Sequence, residues 1–137
     1  MKTRNIKEIM TKNVVCITPD QFLIDVKHIY EKKDFHHHIP VVENNKLVGM
    51  VSLVDFMYHI SGAGLSDNHE VYKTLKVKDI MSPNPYSVNT KATIKDVASV
   101  LKEGRFRAIP VLEDNKVVGI VSTADIIQHF LEMAESE

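Results

Sequence analysis

An α+β fold built from two copies of one β-α-β-β-α unit is what this sequence predicts, and three observations predict it. First, the chain repeats itself. Ile6-Lys7-Glu8-Ile9-Met10-Thr11 returns 71 residues on as Val77-Lys78-Asp79-Ile80-Met81-Ser82, and the 17 residues from Ile39 to Asp55 return 70 residues on as Ile109 to Asp125, with 11 positions identical. Second, each copy carries a stripe of apolar residues at helical spacing, flanked by short strand-like runs and turn residues. Third, hydrophobic residues make up 44% and charged residues 26% of the 137, an ordinary globular composition that rules out disorder. A unit of about 55 residues is too small to bury a generous core alone, so the copies are expected to pack on each other about a pseudo-two-fold axis. The sequence therefore divides into repeat 1 at residues 1–62, a connector at 63–76 and repeat 2 at 77–137.

Each element has its reason in turn. The lead-ins, Ile6 to Met10 and Val77 to Met81, run into Asn, Pro and Ser punctuation. Short extended pieces follow, Val14-Val15-Cys16-Ile17 and Tyr86-Ser87-Val88. Thr18-Pro19-Asp20 then carries a helix start signal, and Leu23, Val26, Ile29 and Tyr30 recur at helical spacing. Ile94, Val97, Val100 and Leu101 repeat that stripe, with Gly104 placed for a left-handed helix end. Both stripes read as core. The one-residue change of offset falls where Glu31-Lys32-Lys33-Asp34 faces Lys102-Glu103-Gly104. Ile39 to Val42 and Leu47 to Val51 flank Asn44-Asn45, a tight-turn pair, and predict a β-hairpin. Pro40 and Pro110, having no N–H to donate, are expected at a strand start or an edge. A last helix follows Ser52 and Ser122, and Glu70 to Leu75 offers a further helical turn inside the polar connector.

Composition narrows the function. The formal net charge is −1, which disfavours a nucleic-acid binder that works through bulk positive charge. No apolar run approaches the roughly 18 residues of a membrane span, and charges at Lys2, Arg4, Lys7 and Glu8 interrupt any signal-peptide core. The single cysteine, Cys16, has no disulfide partner within the chain. A reducing cytoplasm is the expected location. No nucleophile-with-base constellation, Walker loop or zinc-ligand set is visible, so no catalytic role and no required cofactor are expected.

The most chemically suggestive motif is Gly-x-x-Ser-x-x-Asp, at Gly49 to Asp55 and again at Gly119 to Asp125. Ser52 and Ser122 suit a helix N-cap, and Asp55 and Asp125 suit the third helical position of a capping box and the positive end of the helix dipole. Capping alone accounts for all four residues. A first-turn carboxylate also suits the vicinal hydroxyls of a ribose, and a serine hydroxyl with helix N–H groups suits a phosphate. Gly49 and Gly119 read as sites of close packing or a bulge. The Asp55/His59 and Asp125/His129 pairs repeat at i, i+4, a spacing that most often marks a solvated interaction. His36-His37-His38 offers at most two convergent ligands, too few for a closed zinc site, so no metal is expected.

With Ile9-Met10-Thr11, Ile80-Met81-Ser82, His37 to Val42, Arg107 to Leu112 and both Gly-x-x-Ser-x-x-Asp segments in register, the chain resembles a tandem pair of cystathionine-β-synthase (CBS) domains, the Bateman module, in its stand-alone form. The resemblance spans Ile6 to about Phe130. It implies a regulatory module, without catalysis, that binds adenosine-containing ligands of the AMP, ADP, ATP or S-adenosylmethionine type in clefts of the pair, and that often dimerises into a disc. By position it assigns Asp55 and Asp125 to the ribose, with Ser52 and Ser122 beside them. His37, His38 and Arg107 fall where relatives contact phosphate, and Thr18 falls near the adenine and ribose; Asn89 and Ala108 depart from the pattern in repeat 2. Ile17, Met50, Val88 and Ile120 are read as core with an adenine-facing option. Of the apolar residues on the last helices (Met57, Tyr58, Ile60, Ile126, Ile127 and Phe130), those not buried within the pair offer a homodimer surface. The partners implied are a small adenosyl ligand, a second copy and a regulated protein; a ligand-independent interaction scaffold is the alternative.

Overall fold

The computed structural model describes residues 5–135 and divides into two compact units that do not coincide with the sequence repeats. One unit is Val15–Pro85; the other joins Met1–Val14 to Tyr86–Glu137. Each unit thus takes its lead-in from the other repeat: residues 77–83 belong with repeat 1, and residues 5–11 with repeat 2.

In the Val15–Pro85 unit, helix α2 (Leu23–Tyr30) precedes the hairpin of β1 (His38–Glu43) and β2 (Lys46–Ser52), and α3 (Leu53–His59) follows it. The connector then forms α4 (Val71–Thr74), and the lead-in forms α5 (Val77–Ile80) and β3 (Ser82–Pro83). The sheet order is β1-β2-β3, with Ile17 bridged in parallel to Val41 on the far side of β1. In the other unit, α1 (Ile6–Ile9) is followed, after the break in the chain path, by β4 (Val88–Asn89), α6 (Ile94–Leu101), β5 (Ala108–Glu113), β6 (Lys116–Ser122) and α7 (Thr123–Glu135). Its sheet order is β4-β5-β6. Thr11 closes the free edge of β6, exchanging both backbone hydrogen bonds with Ile120 at 2.9 and 3.0 Å. The predicted α+β class and the repeated order therefore hold, with the lead-ins exchanged.

Local chemistry explains most of the elements. The hairpin turns place Asn44 and Asn45 at φ 52° and 64°, and Asp114 and Asn115 at 51° and 65°, the left-handed values that a two-residue hairpin loop needs. Gly104 ends α6 at φ 81°. Thr93 and Asp96 cap α6 reciprocally, the Thr93 Oγ1 accepting from the Asp96 N–H at 3.0 Å. Helix α2 departs from the expectation. Thr18 to Asp20 forms a turn, with the Thr18 N–H donating to Gln21 Oε1 at 2.7 Å, and the helix begins only at Leu23. Residues 21 and 22 are held extended against the lead-in: Leu23 N–H donates to the Leu75 carbonyl, Val77 N–H to that of Gln21, and Phe22 bridges Lys76. Pro110 is a second departure, since β5 is the middle strand of its sheet. The parallel partner β4 begins beside Val111, one residue past the proline, so the missing N–H interrupts no ladder there.

Each unit has its own core. Ile17, Leu23, Val26, Ile39, Val41, Val51, Tyr72 and Val77 fill one; Ile6, Ile94, Val97, Leu101, Ile109, Val111 and Val121 fill the other. Full burial of such an aliphatic side chain contributes about 1.5–3 kcal/mol each. The methionines of the exchanged lead-ins lie on the motif glycines. A Cβ at Gly49 would come within 3.0 Å of Met81 Cγ, and one at Gly119 within 2.8 Å of Met10 Cγ, so these glycines serve close packing. Among the described residues, no helix is long and apolar enough to cross a membrane.

The connector is tied down by an ion-pair cluster. Lys27 is 5% exposed, and its Nζ lies 2.6 Å from Asp67 Oδ1 and 2.8 Å from Glu31 Oε2. His28 Nε2 lies 2.9 Å from the other Asp67 oxygen. Hydrogen bonds from Lys27 and then His28 hold the Asp67 carboxyl below the usual carboxylate range. A depressed carboxyl contributes stability that is complete above its unfolded value and is lost as pH falls toward the folded one. The stability difference between wild type and Asp67→Asn, followed by urea unfolding, is therefore expected to hold constant above about pH 5 and to shrink below about pH 4. A difference independent of pH would show that Asp67 acts there without its charge.

Candidate functional site

The two Ser-x-x-Asp segments stand at matched places, where the second hairpin strand turns into the last helix of each unit. In the Val15–Pro85 unit, β2 delivers Ser52 to the N-cap of α3, and its Oγ accepts from the Asp55 N–H at 3.0 Å. The strand entrance is fixed to the same point, because the His37 carbonyl accepts from the Leu53 N–H at 2.7 Å and from the Tyr30 hydroxyl at 3.2 Å. The exposed His37 ring sits edge-on to Phe35, with centroids 5.4 Å apart. His38 lies half-buried in β1 opposite Ser52. The half-buried Asp55 carboxylate accepts no hydrogen bond from the described residues. Burial, with the charge of Asp55 adding to it, pushes the Tyr30 phenol well above its usual range.

In the other unit the same motif closes further. Ser122 Oγ accepts from the Asp125 N–H at 3.2 Å, and the Ser122 N–H donates to Asp125 Oδ2 at 2.8 Å. One Asp125 oxygen is thus committed to a capping box, which Asp55 does not form. The Arg107 carbonyl accepts from the Thr123 N–H at 3.0 Å, matching the His37–Leu53 bond. The Arg107 side chain is exposed.

The structure brings together Ser52, Asp55, His37 and His38 in one unit, and Ser122, Asp125 and Arg107 in the other, through backbone bonds that no spacing rule reveals. Thr18 is exposed and turns its N–H and hydroxyl to Gln21; among the described residues no contact joins it to Asp55. The Asn89 side chain accepts from the Lys91 N–H in a local turn. The i, i+4 histidines serve other ends: His59 Nδ1 donates to the Asp55 backbone carbonyl at 2.8 Å, and His129 is buried on α7. Cys16 is half-buried, and burial pushes its thiol up, away from thiolate chemistry.

Sequence reasoning passed over an aromatic cluster beside Arg107. Tyr86 and Phe106 stack with centroids 5.7 Å apart and planes at 23°, and the Arg105 guanidinium lies 5.7 Å from the Phe106 centroid. A cue was present, since Arg105-Phe106-Arg107 interleaves charge and ring immediately before the strand. Among the described residues, His28, Glu31 and Asp67 form the one group of three metal-capable side chains, and Lys27 is already ion-paired to both carboxylates.

Comparison with known proteins places this geometry. The CBS domain model matches twice, over residues 6–62 and 77–132. The chain is 36% identical over 129 residues to the uncharacterized protein MJ0188 of Methanocaldococcus jannaschii, covering 93% of this chain and 44% of that protein, so it spans less than half of that relative's length. It is 27% identical over 129 residues to hypoxic response protein 1 of Mycobacterium tuberculosis, covering 93% of this chain and 86% of that one. Among solved structures, CBSX2, an Arabidopsis thaliana protein crystallised in complex with AMP, superposes with a TM-score of 0.75 at 28% identity, over 95% of this chain and 98% of that one. Two family matches in register with two copies of one Ser-capped, Asp-bearing hairpin-helix junction leave one conclusion: the chain belongs to the CBS domain family, as a tandem pair.

Proposed function

We propose that this chain is a non-catalytic regulatory module that binds an adenosine-containing ligand at the hairpin-helix junction of one or both repeats. The observation that carries the reading is the duplicated junction itself. In each unit a motif carboxylate stands at a helix start whose first N–H is bonded to the carbonyl of an exposed basic residue, His37 or Arg107. Asp55 and Asp125 accept from the ribose hydroxyls, Ser52 and Ser122 fix the helix start, and Arg107, His37 and His38 face the phosphate or its equivalent. Thr18 contributes at the base end. CBSX2 in complex with AMP supports the reading. Apolar side chains that stand more than half exposed (Val54, Met57 and Tyr58 on α3; Ile127, Phe130 and Leu131 on α7) support a homodimer and a surface for a regulated protein. The same exposed faces favour a second reading, a scaffold whose partner binding ignores nucleotide.

Calorimetric titration with AMP, ADP, ATP and S-adenosylmethionine tests the proposal on wild type and on the Asp55→Ala/Asp125→Ala double variant. At least one compound is expected to bind wild type, and the double variant to lose tenfold or more in affinity, a charged hydrogen bond being worth about 1.5–3 kcal/mol. Circular dichroism confirms that the variant is folded. Four blank titrations on wild type would sink the reading in favour of the scaffold.

A further inference from the structure

The two junctions are alike in backbone and unlike in charge. Seventy residues separate Phe35 from Arg105, His36 from Phe106 and His37 from Arg107, and 71 separate Val15 from Tyr86. In repeat 2 these substitutions assemble the Tyr86–Phe106 stack, with Arg105 against it and Arg107 fixed to the start of α7. Tyr86 remains 44% exposed, while Phe106 packs on the core, so the pair presents a supported aromatic face with the Arg105 guanidinium against it, next in sequence to the exposed Arg107. Guanidinium is charged at every physiological pH and matches phosphate with a planar fork. Opposed to these two positive charges is one motif carboxylate, Asp125, already half committed to its cap. In repeat 1 the matched positions hold Phe35, His36 and His37, and the aromatic contacts run inward, Phe35 meeting Tyr30 edge-on at 5.9 Å. Imidazole is mostly neutral at neutral pH, while the Asp55 carboxylate is unpaired among the described residues. At these matched positions a phosphate meets one uncompensated negative charge and no guanidinium.

We propose that the two repeats divide their ligands by charge: the Tyr86–Phe106–Arg107 junction takes a 5′-phosphorylated adenosine ligand, and the His37–Asp55 junction takes an adenosyl compound without phosphate. This rests on the adenosine-binding reading above and goes beyond it by assigning a ligand class to each repeat.

Calorimetry at pH 7.5 with AMP and with adenosine, on wild type, Arg107→Gln, Arg107→Lys and His37→Gln, tests the division. The ratio of AMP affinity to adenosine affinity is expected to fall tenfold or more in Arg107→Gln and to recover partly in Arg107→Lys, whereas His37→Gln is expected to weaken adenosine and to leave the affinity for AMP within twofold of wild type. Asp125→Ala is expected to abolish the AMP-binding step, and Asp55→Ala to remove the adenosine-binding step. An unchanged ratio in Arg107→Gln, or equal loss of AMP affinity in Arg107→Gln and His37→Gln, overturns the division while adenosine binding stands. Wild type binding neither compound overturns the division, and blank titrations with ADP, ATP and S-adenosylmethionine as well overturn the adenosine reading with it.

Discussion

Tyr72→Ala is expected to destabilise the Val15–Pro85 unit by about 3–5 kcal/mol, the range for removing a large buried ring. Tyr72 comes from the connector, outside both copies of the repeat, yet it is 0% exposed and is the largest fully buried side chain. Its hydroxyl donates to the Gly64 carbonyl at 2.9 Å, and Lys27 Nζ lies 5.5 Å from its ring centroid. The ring is thus both core and anchor, closing the connector over α2. Tyr72→Phe separates the two roles: it keeps the ring, loses one hydrogen bond, and is expected to cost about 1 kcal/mol. Urea unfolding with amide exchange resolved by residue reads both. The expected signature is loss of protection in α2, β1 and β2 at a lower urea concentration. A Tyr72→Ala protein as stable as wild type would show that the connector contributes no core.

Ile6→Ala is expected to cost the other unit about 2–5 kcal/mol. Helix α1 is four residues long, too short to persist without tertiary support. It is held by Ile6, which is 0% exposed in that unit's core, by the Thr11–Ile120 bonds at the edge of β6, by the Asn5–Thr93 bridge and by Met10 against Gly119. The ion pair from Lys7 to Glu113, 3.7 Å long and half exposed at both ends, adds little. Amide exchange is expected to show lost protection in β5, β6 and α6, with residues 38–52 unaffected. Protection lost first in residues 38–52 would contradict the assignment of the N-terminal segment to the Tyr86–Glu137 unit.

These two residues mark the limit of what was legible. The hairpins could be read because Asn44-Asn45 and Asp114-Asn115 carry their own backbone preference, and the starts of α3 and α7 because Ser52 and Ser122 bond within three residues. Capping and turn geometry are settled by neighbours in the chain. The start of α2 was misplaced because its true boundary depends on bonds to Leu75 and Val77, more than fifty residues away. The motif aspartates looked equivalent in sequence, yet Asp125 closes a capping box and Asp55 does not. Glycine at 49 and 119 was readable as close packing, but not that Met81 and Met10 would be what approaches.

By itself the sequence determined that this protein is a duplicated α+β unit with two acid-bearing helix starts, because periodicity, turn residues and caps act over a few residues. Only the tertiary structure decided which lead-in completes which unit, that Tyr72 and Lys27 secure the connector, and that Arg105, Phe106 and Tyr86 gather beside Arg107. Burial and edge pairing choose among chain segments by fit and distance in space, and an apolar residue such as Ile6 or Val77 carries no mark of which core it enters.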